Sequence, residues 1–260
     1  MASRALSFGV MAEAYERFRP GYPTELYDMV RAYAGRPLRT ALEIGAGTGK
    51  ATRLFAGQGV EVTATEPDAQ MLAELRRHVP ANVRAVRAAF EDLRPGPERY
   101  GLVCAAAALH WTDPEGRWPR VAGLLEPGGV FASFGGQVHL ADPALEAAVR
   151  AARAPLLESD EVPSPDGTPA DRAMQWPGTE LMASAWFTDV RQELIGRTLT
   201  MTAPDYVGHL GTVSAYLVLP DDVREEVFAR IARVLPPTVE LTSDITVHLA
   251  RRNEEEGHVE

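Results

Sequence analysis

The sequence lacks the residues that build disulfide, zinc and nucleic-acid sites. Cys104 is its only cysteine, which excludes an internal disulfide bond and a cysteine-based zinc site. Lys50 is the only lysine, the net charge is −10 and the arginines are scattered, so no basic cluster is present to bind a phosphate backbone. The acidic groups at 159–161 and 220–222 suit a loop and a helix start, and no two histidines have metal-ligand spacing. We expect no metal and no nucleic-acid partner.

Long apolar runs are also absent. No stretch approaches the roughly 20 residues that span a membrane, and residues 1–18 lack the apolar core of a signal peptide. We therefore expect a cytoplasmic protein with no membrane partner. The 260 residues, of which 45% are hydrophobic, suffice for the core of one large domain or of two small ones. No feature of the sequence predicts an oligomeric state.

Residues 41–50, ALEIGAGTGK, combine a short apolar run, an acid and three glycines. Glycine at alternate positions lets the backbone turn tightly and lets a ligand approach its N–H groups. A phosphate-binding P-loop is excluded, because Ile44 replaces its first glycine and Ala51 replaces its metal-binding hydroxyl. A dinucleotide fingerprint fits Gly45 and Gly47 but requires a third glycine at position 50, where a lysine stands, so this alternative is weakened and stays open.

The following segment, VEVTATEPDAQML, indicates what the glycine loop binds. Val60, Val62 and Ala64 alternate as in a buried strand, which ends on Glu66, 17 residues after Gly49. An acid at the end of a second parallel strand can accept both ribose hydroxyls of a nucleoside that lies across the first loop. NAD and S-adenosylmethionine both meet that description.

A helix then begins at Pro67 and places Met71, Leu72 and Leu75 at helical spacing. Met71 either belongs to the core, which is the preferred explanation, or lies against an adenine ring. The spacing alone does not separate these alternatives.

Five segments occur in the order and spacing of one known family. They are residues 43–49, EPDAQML at 66–72, AAFEDL at 88–93, LVCAAAALHW at 102–111 and LLEPGGVFASF at 124–134. Together they resemble the ordered motifs of class I S-adenosylmethionine-dependent methyltransferases, and the resemblance covers about residues 8–135. The segments ALHW and AYERFRPGYP resemble in particular the small-molecule branch, which includes trans-aconitate methyltransferase-like proteins and natural-product tailoring enzymes.

The resemblance implies S-adenosylmethionine as the cofactor and S-adenosylhomocysteine as the product. It implies that the backbone of residues 45–47 holds the methionine moiety, that Glu43 orients its ammonium group and that Glu66 binds the ribose. Phe90 and Glu91 frame the adenine, although Glu91 also fits a solvated acid before a turn. The residues implied in cofactor binding are Glu43, Gly45, Ala46, Gly47, Glu66, Pro67, Met71, Phe90, Glu91, Ala105 and Ala106, the last two beside the sulfonium.

His110 and Trp111 follow the fourth predicted strand, at the edge where open α/β sheets bind ligands. An imidazole there can act as a base, because its ordinary pKa lies near operating pH. His110 is therefore the catalytic candidate, against the preferred alternative of a hydrogen-bonded histidine packed under a lid. Position 107, often polar in the family, is Ala107, which removes one contact to the acceptor or the cofactor.

Four further residues are candidates for the substrate side of the site. Tyr15 and Arg19 lie in the N-terminal segment that resembles a flap over the cofactor, where either can meet the methionine carboxylate or the acceptor. Arg19 is equally consistent with a surface charge. Tyr206 and His209 fall on a late helix that can face the pocket, and packing is the preferred explanation for both.

Strands and helices alternate through the first half of the chain. Strands are expected near 40–44, 60–65, 83–88, 100–105 and 129–134, and helices near 24–35, 50–57, 68–78 and 114–125. This alternation predicts a parallel sheet wrapped by helices. Later in the chain we expect helices at 142–157, 204–217 and 221–234, a Pro- and Gly-rich loop at 158–178, and strands at 190–201 and 238–250.

The resemblance adds the expected architecture. It is a Rossmann-like α/β fold with a mostly parallel seven-stranded sheet, a final antiparallel hairpin, helices on both faces and a helical lid insertion. We expect a single methyltransferase domain over residues 1–260. Its parts are an N-terminal helical flap (1–35), a cofactor-binding core (36–135), a lid insertion (136–188), C-terminal strands and helices (189–252) and a frayed tail (253–260).

These features predict direct methyl transfer from S-adenosylmethionine to a small organic acceptor, in a tailoring step of secondary metabolism. One alternative is a protein that binds the cofactor without using its methyl, as a cyclase-type catalyst or a regulatory module. A nicotinamide oxidoreductase is less favoured, because the third fingerprint glycine is missing and the single Lys50 cannot form a Tyr-x-x-x-Lys pair.

Overall fold

The structure, a computed structural model, describes residues 11–169 and 171–254. The first ten residues of the predicted flap and the end of the predicted tail, 255–260, lie outside the described residues. Asn253, where that tail was expected to begin, donates from its side chain to the carbonyl of Ala185 and from its backbone to the carbonyl of Trp186.

The elements alternate through the first half of the chain as the sequence predicts. The strands are β1 (Thr40–Ile44), β2 (Glu61–Thr65), β3 (Val83–Val86), β4 (Tyr100–Ala106), β5 (Leu125–Gly135), β6 (His139–Leu140), β7 (Phe187–Ile195), β8 (Thr198–Thr202), β9 (Thr238–Thr242) and β10 (Ile245–Arg252). The helices are α1 (Ala12–Phe18), α2 (Thr24–Ala34), α3 (Lys50–Gly57), α4 (Ala69–His78), α5 (Arg117–Leu124), α6 (Pro143–Arg153), α7 (Gly178–Ala183), α8 (Ala203–Leu210), α9 (Ser214–Leu217) and α10 (Asp221–Val234). Within the described ranges, no helix combines the length and the apolar character needed to cross a membrane.

A seven-stranded sheet forms the centre, in the order β3-β2-β1-β4-β5-β10-β7. Neighbouring pairs from β3 to β5 are parallel, and β10 lies antiparallel between β5 and β7. The prediction of a Rossmann-like, mostly parallel sheet is confirmed. One detail differs: β7 and β10 pair side by side, but the chain between them leaves this sheet and returns, so they are not consecutive strands of a hairpin.

Both faces of the central sheet are buried, which explains why its strands are apolar runs. On one face, Leu26 of α2 and Phe55 of α3 share a core with Cys104 of β4. On the other face, Val121 of α5 packs in a core with Val103 of the same strand. Neighbouring residues of β4 therefore serve opposite faces, and the single cysteine is a small buried strand residue.

A second, three-stranded sheet has the order β6-β9-β8. Residues of this sheet and of α6, α8 and α10 share an apolar cluster that includes Val149, Tyr206, Ile231 and Leu241. We call residues 136–157 and 198–242 the covering lobe. The sequence predicted a helical lid insertion over 136–188, whereas the covering lobe mixes helices with a sheet and draws its residues from both sides of β7.

Two breaks within predicted strands explain this difference. The segment 190–201 is divided after Ile195, where the backbone N–H of Arg197 donates to a carboxylate oxygen of Asp244 at 3.0 Å. The segment 238–250 is divided in the same corner, where the N–H of Ser243 donates to the carbonyl of Arg197 at 2.8 Å. The first segment therefore begins in the central sheet as β7 and continues into the second sheet as β8. The second segment begins in the second sheet as β9 and continues into the central sheet as β10.

Candidate active site

The loop between β1 and α3 adopts a left-handed backbone at its three glycines. Gly45, Gly47 and Gly49 have φ angles of 62°, 57° and 86°, a region that residues with a side chain occupy at a cost. A Cβ at Gly45 would lie 2.7 Å from the Cβ of Ala108, in the loop after β4. Glycine therefore lets the loops at the carboxyl ends of β1 and β4 approach each other closely.

Glu43 lies near the end of β1, and only 1% of it is exposed. The hydroxyl of Thr52 donates to its Oε2 at 2.5 Å, whereas its Oε1 has no hydrogen-bond partner among the described residues. Burial raises the pKa of this carboxyl to about 8. A small cavity of about 80 Å³, lined also by Ala46, adjoins it. The unpaired oxygen suits a charged donor such as an ammonium group.

Glu66 follows β2 and bridges two backbone segments. Its Oε2 accepts the N–H of Gly47 at 2.8 Å, and its Oε1 accepts the N–H of Asp68 at 2.9 Å. Burial raises the pKa of this carboxyl, while the two backbone N–H groups oppose that shift. A carboxylate offers about four acceptor sites, so each oxygen can accept a further hydrogen bond from a ligand hydroxyl.

Phe90 and Glu91 lie in the short 3₁₀ turn Phe90–Asp92 after β3. Phe90 is buried, with the guanidinium of Arg120 5.3 Å from the centre of its ring. Glu91 accepts the N–H of Asp113 at 2.8 Å, which ties this turn to the loop after β4. Met71 is only 5% exposed yet borders the same space, so it belongs to the core and also lines the site.

One cavity of about 1100 Å³ connects these residues with the covering lobe. The residues predicted for the site that line it are Tyr15, Arg19, Gly45, Gly47, Glu66, Pro67, Met71, Phe90, Glu91, Ala106, His110, Trp111, Tyr206 and His209. Glu43 and Ala46 line the adjoining small cavity. Ala105 lines neither, because the alternation of β4 turns its side chain into the core, where it is 0% exposed.

His110 lies in a second 3₁₀ turn, Leu109–Trp111, directly after β4. Its ring packs against Trp111, with the ring centres 4.7 Å apart and the planes at 44°. Burial, together with the smaller effect of the positive charge of Arg117, lowers its pKa to about 4. The imidazole is therefore neutral near pH 7.

Helix α1 of the flap is tied to the covering lobe. The Nε of Arg19 donates to the hydroxyl of Thr212 at 2.8 Å, and a second guanidinium nitrogen donates to the carbonyl of Thr212 at 2.9 Å. The same guanidinium lies 5.3 Å from the centre of the Tyr15 ring. Arg19 is therefore a link between the flap and the covering lobe, at the border of both cavities.

Tyr206 and His209 lie on α8 and are 3% and 2% exposed. Burial raises the pKa of the Tyr206 hydroxyl. The imidazole of His209 hydrogen-bonds the backbone of Phe18, while its Nδ1 has no partner among the residues that the structure describes. Both residues pack, as preferred from the sequence, and both also border the large cavity.

Sequence reasoning misses two residues of this site. Thr212 holds Arg19 across 193 positions of sequence, and no local pattern marks such a partner. His248 lies in β10 and borders the cavity, with its Nε2 2.9 Å from the side-chain oxygen of Gln192. Its only local signal is a histidine within the apolar alternation ITVHLA.

Comparisons of sequence identify relatives over about half of the chain. Residues 41–129 match a family described as a methyltransferase domain. An uncharacterised methyltransferase of Mycobacterium tuberculosis is 40% identical over 125 residues, which are 48% of this chain and 50% of the relative. A malonyl-[acyl-carrier protein] O-methyltransferase of Enterobacter lignolyticus is 30% identical over 129 residues, 49% of this chain and 51% of the relative. The match spans about half the length of each of these relatives.

Comparisons of structure extend over most of the chain. A structure from Anaeromyxobacter dehalogenans, assigned as a type II methyltransferase, has a TM-score of 0.65 at 25% identity and covers 90% of this chain and 98% of its own. A phosphoethanolamine N-methyltransferase of Haemonchus contortus in complex with S-adenosylhomocysteine shares the fold, with a TM-score of 0.53 at 13% identity over 94% of this chain and 57% of its own. In its fold, in its ordered motifs and over the matched segment 41–129, the chain is similar to class I S-adenosylmethionine-dependent methyltransferases.

Proposed function

We propose that this protein transfers a methyl group from S-adenosylmethionine to a small organic acceptor. One observation carries the proposal: a single cavity of about 1100 Å³ is lined both by the glycine loop with Glu66 and by the covering lobe. Cavities of about 300–1,000 Å³ bind a single drug-sized ligand. The space therefore suits a cofactor and an acceptor side by side.

The residues present fit the cofactor. The ammonium of its methionine moiety would meet the unpaired Oε1 of Glu43, which is buried beside the small cavity. Its ribose hydroxyls would be accepted by Glu66, whose carboxylate is already oriented by two backbone N–H groups. Its adenine would lie near Phe90 and Glu91. The proposed cofactor residues are Glu43, Gly45, Ala46, Gly47, Glu66, Pro67, Met71, Phe90, Glu91 and Ala106.

When bound, S-adenosylmethionine supplies an electrophilic methyl group on its sulfonium. The protein then has to align the acceptor, exclude water and, for a hydroxyl acceptor, receive a proton. His110 borders the cavity as a neutral imidazole and can receive that proton. A ring whose pKa is about 4 is a weak base, so we assign His110 mainly to positioning the acceptor together with Trp111.

Exclusion of water is the role we propose for the flap and the covering lobe. Arg19 joins the flap to Thr212, and Lys50 donates to the carbonyl of Glu16 at 2.7 Å, which holds the flap on α3. These contacts bring α1 over the edge of the central sheet where the glycine loop lies. We propose that the chain works as one methyltransferase domain with this cover.

The acceptor is proposed to be a small molecule in a tailoring step of secondary metabolism. The support is the resemblance of ALHW and AYERFRPGYP to the small-molecule branch, together with a cavity that residues of the covering lobe line on one side. A macromolecular acceptor would need an open groove or a complementary surface.

The test is incubation of the protein with isotopically labelled S-adenosylmethionine and the small molecules that co-purify with it, identified by mass spectrometry. We expect label to appear in an acceptor and S-adenosylhomocysteine to be released in equal amount. A protein that binds the cofactor and releases no S-adenosylhomocysteine with any co-purified molecule would instead be a cyclase-type or regulatory binder.

A further inference from the structure

A buried arginine holds the turn that carries His110 and Trp111. Arg117, at the start of α5, is 3% exposed. Its Nε donates to the hydroxyl of Thr112 at 2.9 Å, and its Nη2 donates to the carbonyl of Thr112 at 2.9 Å. The hydroxyl of Thr112 in turn donates to the carbonyl of Leu109, the first residue of the turn, at 2.7 Å. Arg117 therefore fixes the end of the turn directly and its beginning through Thr112.

The third nitrogen of the guanidinium contacts a carboxylate from another part of the chain. Nη1 of Arg117 donates to Oε2 of Glu180, on α7, at 3.1 Å. The same oxygen accepts the indole N–H of Trp118 at 2.9 Å, and Oε1 accepts the indole N–H of Trp176 at 2.9 Å. The guanidinium also lies 5.4 Å from the centre of the Trp176 ring. Arg117 thus bonds to two segments, through Thr112 and through Glu180.

The residue types at positions 117 and 180 are the ones that this arrangement requires. Guanidinium and indole N–H groups donate hydrogen bonds and accept none, so the three partners of Glu180 require a carboxylate. The guanidinium is a planar fork with fixed directions, which a lysine does not reproduce. A buried ion pair is weak evidence for a gain in stability, because apolar replacements often serve as well. The arrangement points instead to a geometric role.

Both segments reach the large cavity. The turn 109–111 lines it from the loop after β4, and Trp176 lines it from the segment before α7. Arg117 and Glu180, 63 positions apart in the sequence, join these two segments without lining the cavity themselves. The relative position of the two lining segments therefore depends on hydrogen bonds made outside the cavity.

We propose that Arg117, paired with Glu180, is a positioning residue for methyl transfer. It holds the turn 109–111 in one arrangement relative to the indole of Trp176, and so sets the shape of the cavity where the acceptor binds. The inference rests on the proposed function and adds to it the residues that shape the acceptor side of the site. Glu66 is oriented by hydrogen bonds of its own, so binding of the cofactor should not depend on this pair.

The position of the turn can be measured without an acceptor, through the pKa of His110. Burial is the larger cause of its value of about 4, and the charge of Arg117 is the smaller one. A turn that Arg117 no longer holds would expose the imidazole to water, which would raise this pKa toward the ordinary 6.5. Glu91 and Asp113, the carboxylates of the adjoining turn and loop, are left unaltered in the test.

Arg117→Lys separates position from charge. It keeps the positive charge but lacks the planar fork that reaches Thr112 and Glu180 together. NMR titration of His110 in the ligand-free protein, assigned through His110→Gln, should show a rise of its pKa from about 4 toward 6.5. A pKa that stays at about 4 would overturn the proposal, because Arg117 would then act through its charge alone.

Arg251→Lys is the matched control. The guanidinium of Arg251 also donates to backbone carbonyls, those of Tyr33 at 2.7 Å and Gly128 at 3.2 Å, and it does not line the cavity. Its replacement removes a comparable set of hydrogen bonds and should leave the pKa of His110 at about 4. An equal rise of this pKa in both variants would show a general loosening of the fold and would overturn the positioning role.

Glu180→Gln covers the case in which Arg117→Lys does not fold. The amide offers one accepting oxygen in place of two, so the hydrogen bonds to Arg117 and Trp176 cannot both be kept. Release of the turn would raise the pKa of His110. Removal of a negative charge alone would lower that pKa or leave it unchanged. We expect a rise, and a fall or no change would contradict the proposal.

Affinity for S-adenosylhomocysteine, measured by calorimetry, keeps the two proposals apart. The parent and Arg117→Lys should bind it equally. No binding by the parent would contradict the proposed function, whereas equal binding with an unmoved pKa of His110 would contradict this inference alone. With an acceptor labelled in the experiment proposed above, Arg117→Lys should raise KM by about 10-fold and change kcat less. An unchanged KM would overturn the positioning role.

Discussion

At the scale of single residues, the carboxylate of Glu66 is held in one orientation by backbone hydrogen bonds. Backbone N–H groups from two segments hold its two oxygens, so the direction of its carboxylate is fixed before any ligand binds. This orientation is what recognition of two neighbouring hydroxyls requires.

Glu66→Ala should weaken the binding of S-adenosylhomocysteine by about 10- to 150-fold for a single lost charge-assisted bond of about 1.5–3 kcal/mol. Isothermal calorimetry measures the change. Glu61→Ala, at the exposed first position of β2, the strand that Glu66 follows, is the matched control and should leave affinity unchanged. An unaltered affinity in Glu66→Ala would reject the ribose role.

Glu43 makes the stability of the folded protein depend on pH through its raised pKa. Burial raises this pKa from an ordinary 4.5 to about 8, so between these values the folded protein holds a proton that the unfolded chain has released. The free energy of unfolding contributed by this group therefore falls as pH rises from about 4.5 to 8. Glu43→Gln removes the effect.

We expect Glu43→Gln to become more stable than the parent as pH rises from 5 to 8.5, while its affinity for S-adenosylhomocysteine falls. Thermal unfolding of both proteins across this range measures the first change, and calorimetry measures the second. If the difference in Tm between Glu43→Gln and the parent were the same at every pH, burial would not raise the pKa of Glu43.

His110 is the residue for which a general-base mechanism and a positioning mechanism predict different results. With a pKa of about 4, its ring is unprotonated through the physiological range, so turnover should not vary with its titration above about pH 6. We expect His110→Gln to lower turnover less than about 10-fold and to act mainly through KM, as loss of positioning does. Single-turnover kinetics from pH 5 to 8 measure this. A loss of about 10²- to 10⁴-fold confined to the chemical step would make His110 the base.

Single residues also show which features of the site could be predicted from the sequence and which could not. Glu66 was identifiable because it follows an apolar strand at a fixed distance from the glycine loop. The link between Arg19 and Thr212 was not, because it joins residues 193 positions apart and depends on how the covering lobe folds. Ala105 was expected beside the sulfonium, but the direction of its side chain depends on the register of β4, which places it in the core.

At the scale of elements, the glycine loop depends on close approach between the ends of β1 and β4. Gly45 and Gly59 both have positive φ, at 62° and 82°, but only at Gly45 would a Cβ meet another atom, at 2.7 Å from Ala108. Substitutions at the two positions therefore separate two costs: both carry the cost of positive φ, but only Gly45 carries the cost of steric contact.

Gly45→Ala should destabilise the protein by at least about 1 kcal/mol more than Gly59→Ala, because overpacking typically costs 1–3 kcal/mol beyond the shared cost of positive φ. Only Gly45→Ala should also weaken the binding of S-adenosylhomocysteine, since the loop must move. Denaturant unfolding and calorimetry of the two variants give both values. Equal losses of stability in the two would contradict the close approach.

Elements of the second half were harder to predict for a physical reason. In the first half, strands buried on both faces are apolar runs separated by helices, and local pattern identifies them. In the second half, a corner at Arg197 and Asp244 divides two alternating segments, and the resulting strands pair with distant partners, as β9 does with β6. Alternation of side chains continues through such a corner, so the pattern predicts strands without showing which sheet they join.

At the scale of the whole molecule, the cavity lies between the central sheet and the covering lobe. The lobe has its own apolar cluster, so it can cover the site without drawing on the core of the central sheet. The sequence predicted a cover formed by a helical lid insertion over residues 136–188. It did not predict that residues from both sides of β7 build it.

The central claim is that the glycine loop and Glu66 form a site for S-adenosylmethionine rather than for a nicotinamide dinucleotide. Thermal unfolding with S-adenosylhomocysteine, NAD or NADP tests it most directly. A ligand present at about 100 times its Kd stabilises the folded state by about 2.7 kcal/mol, which for a chain of this size raises the Tm by roughly 5–10 °C. We predict such a rise with S-adenosylhomocysteine and none with NAD or NADP. A rise with a nicotinamide dinucleotide and none with S-adenosylhomocysteine would contradict the account.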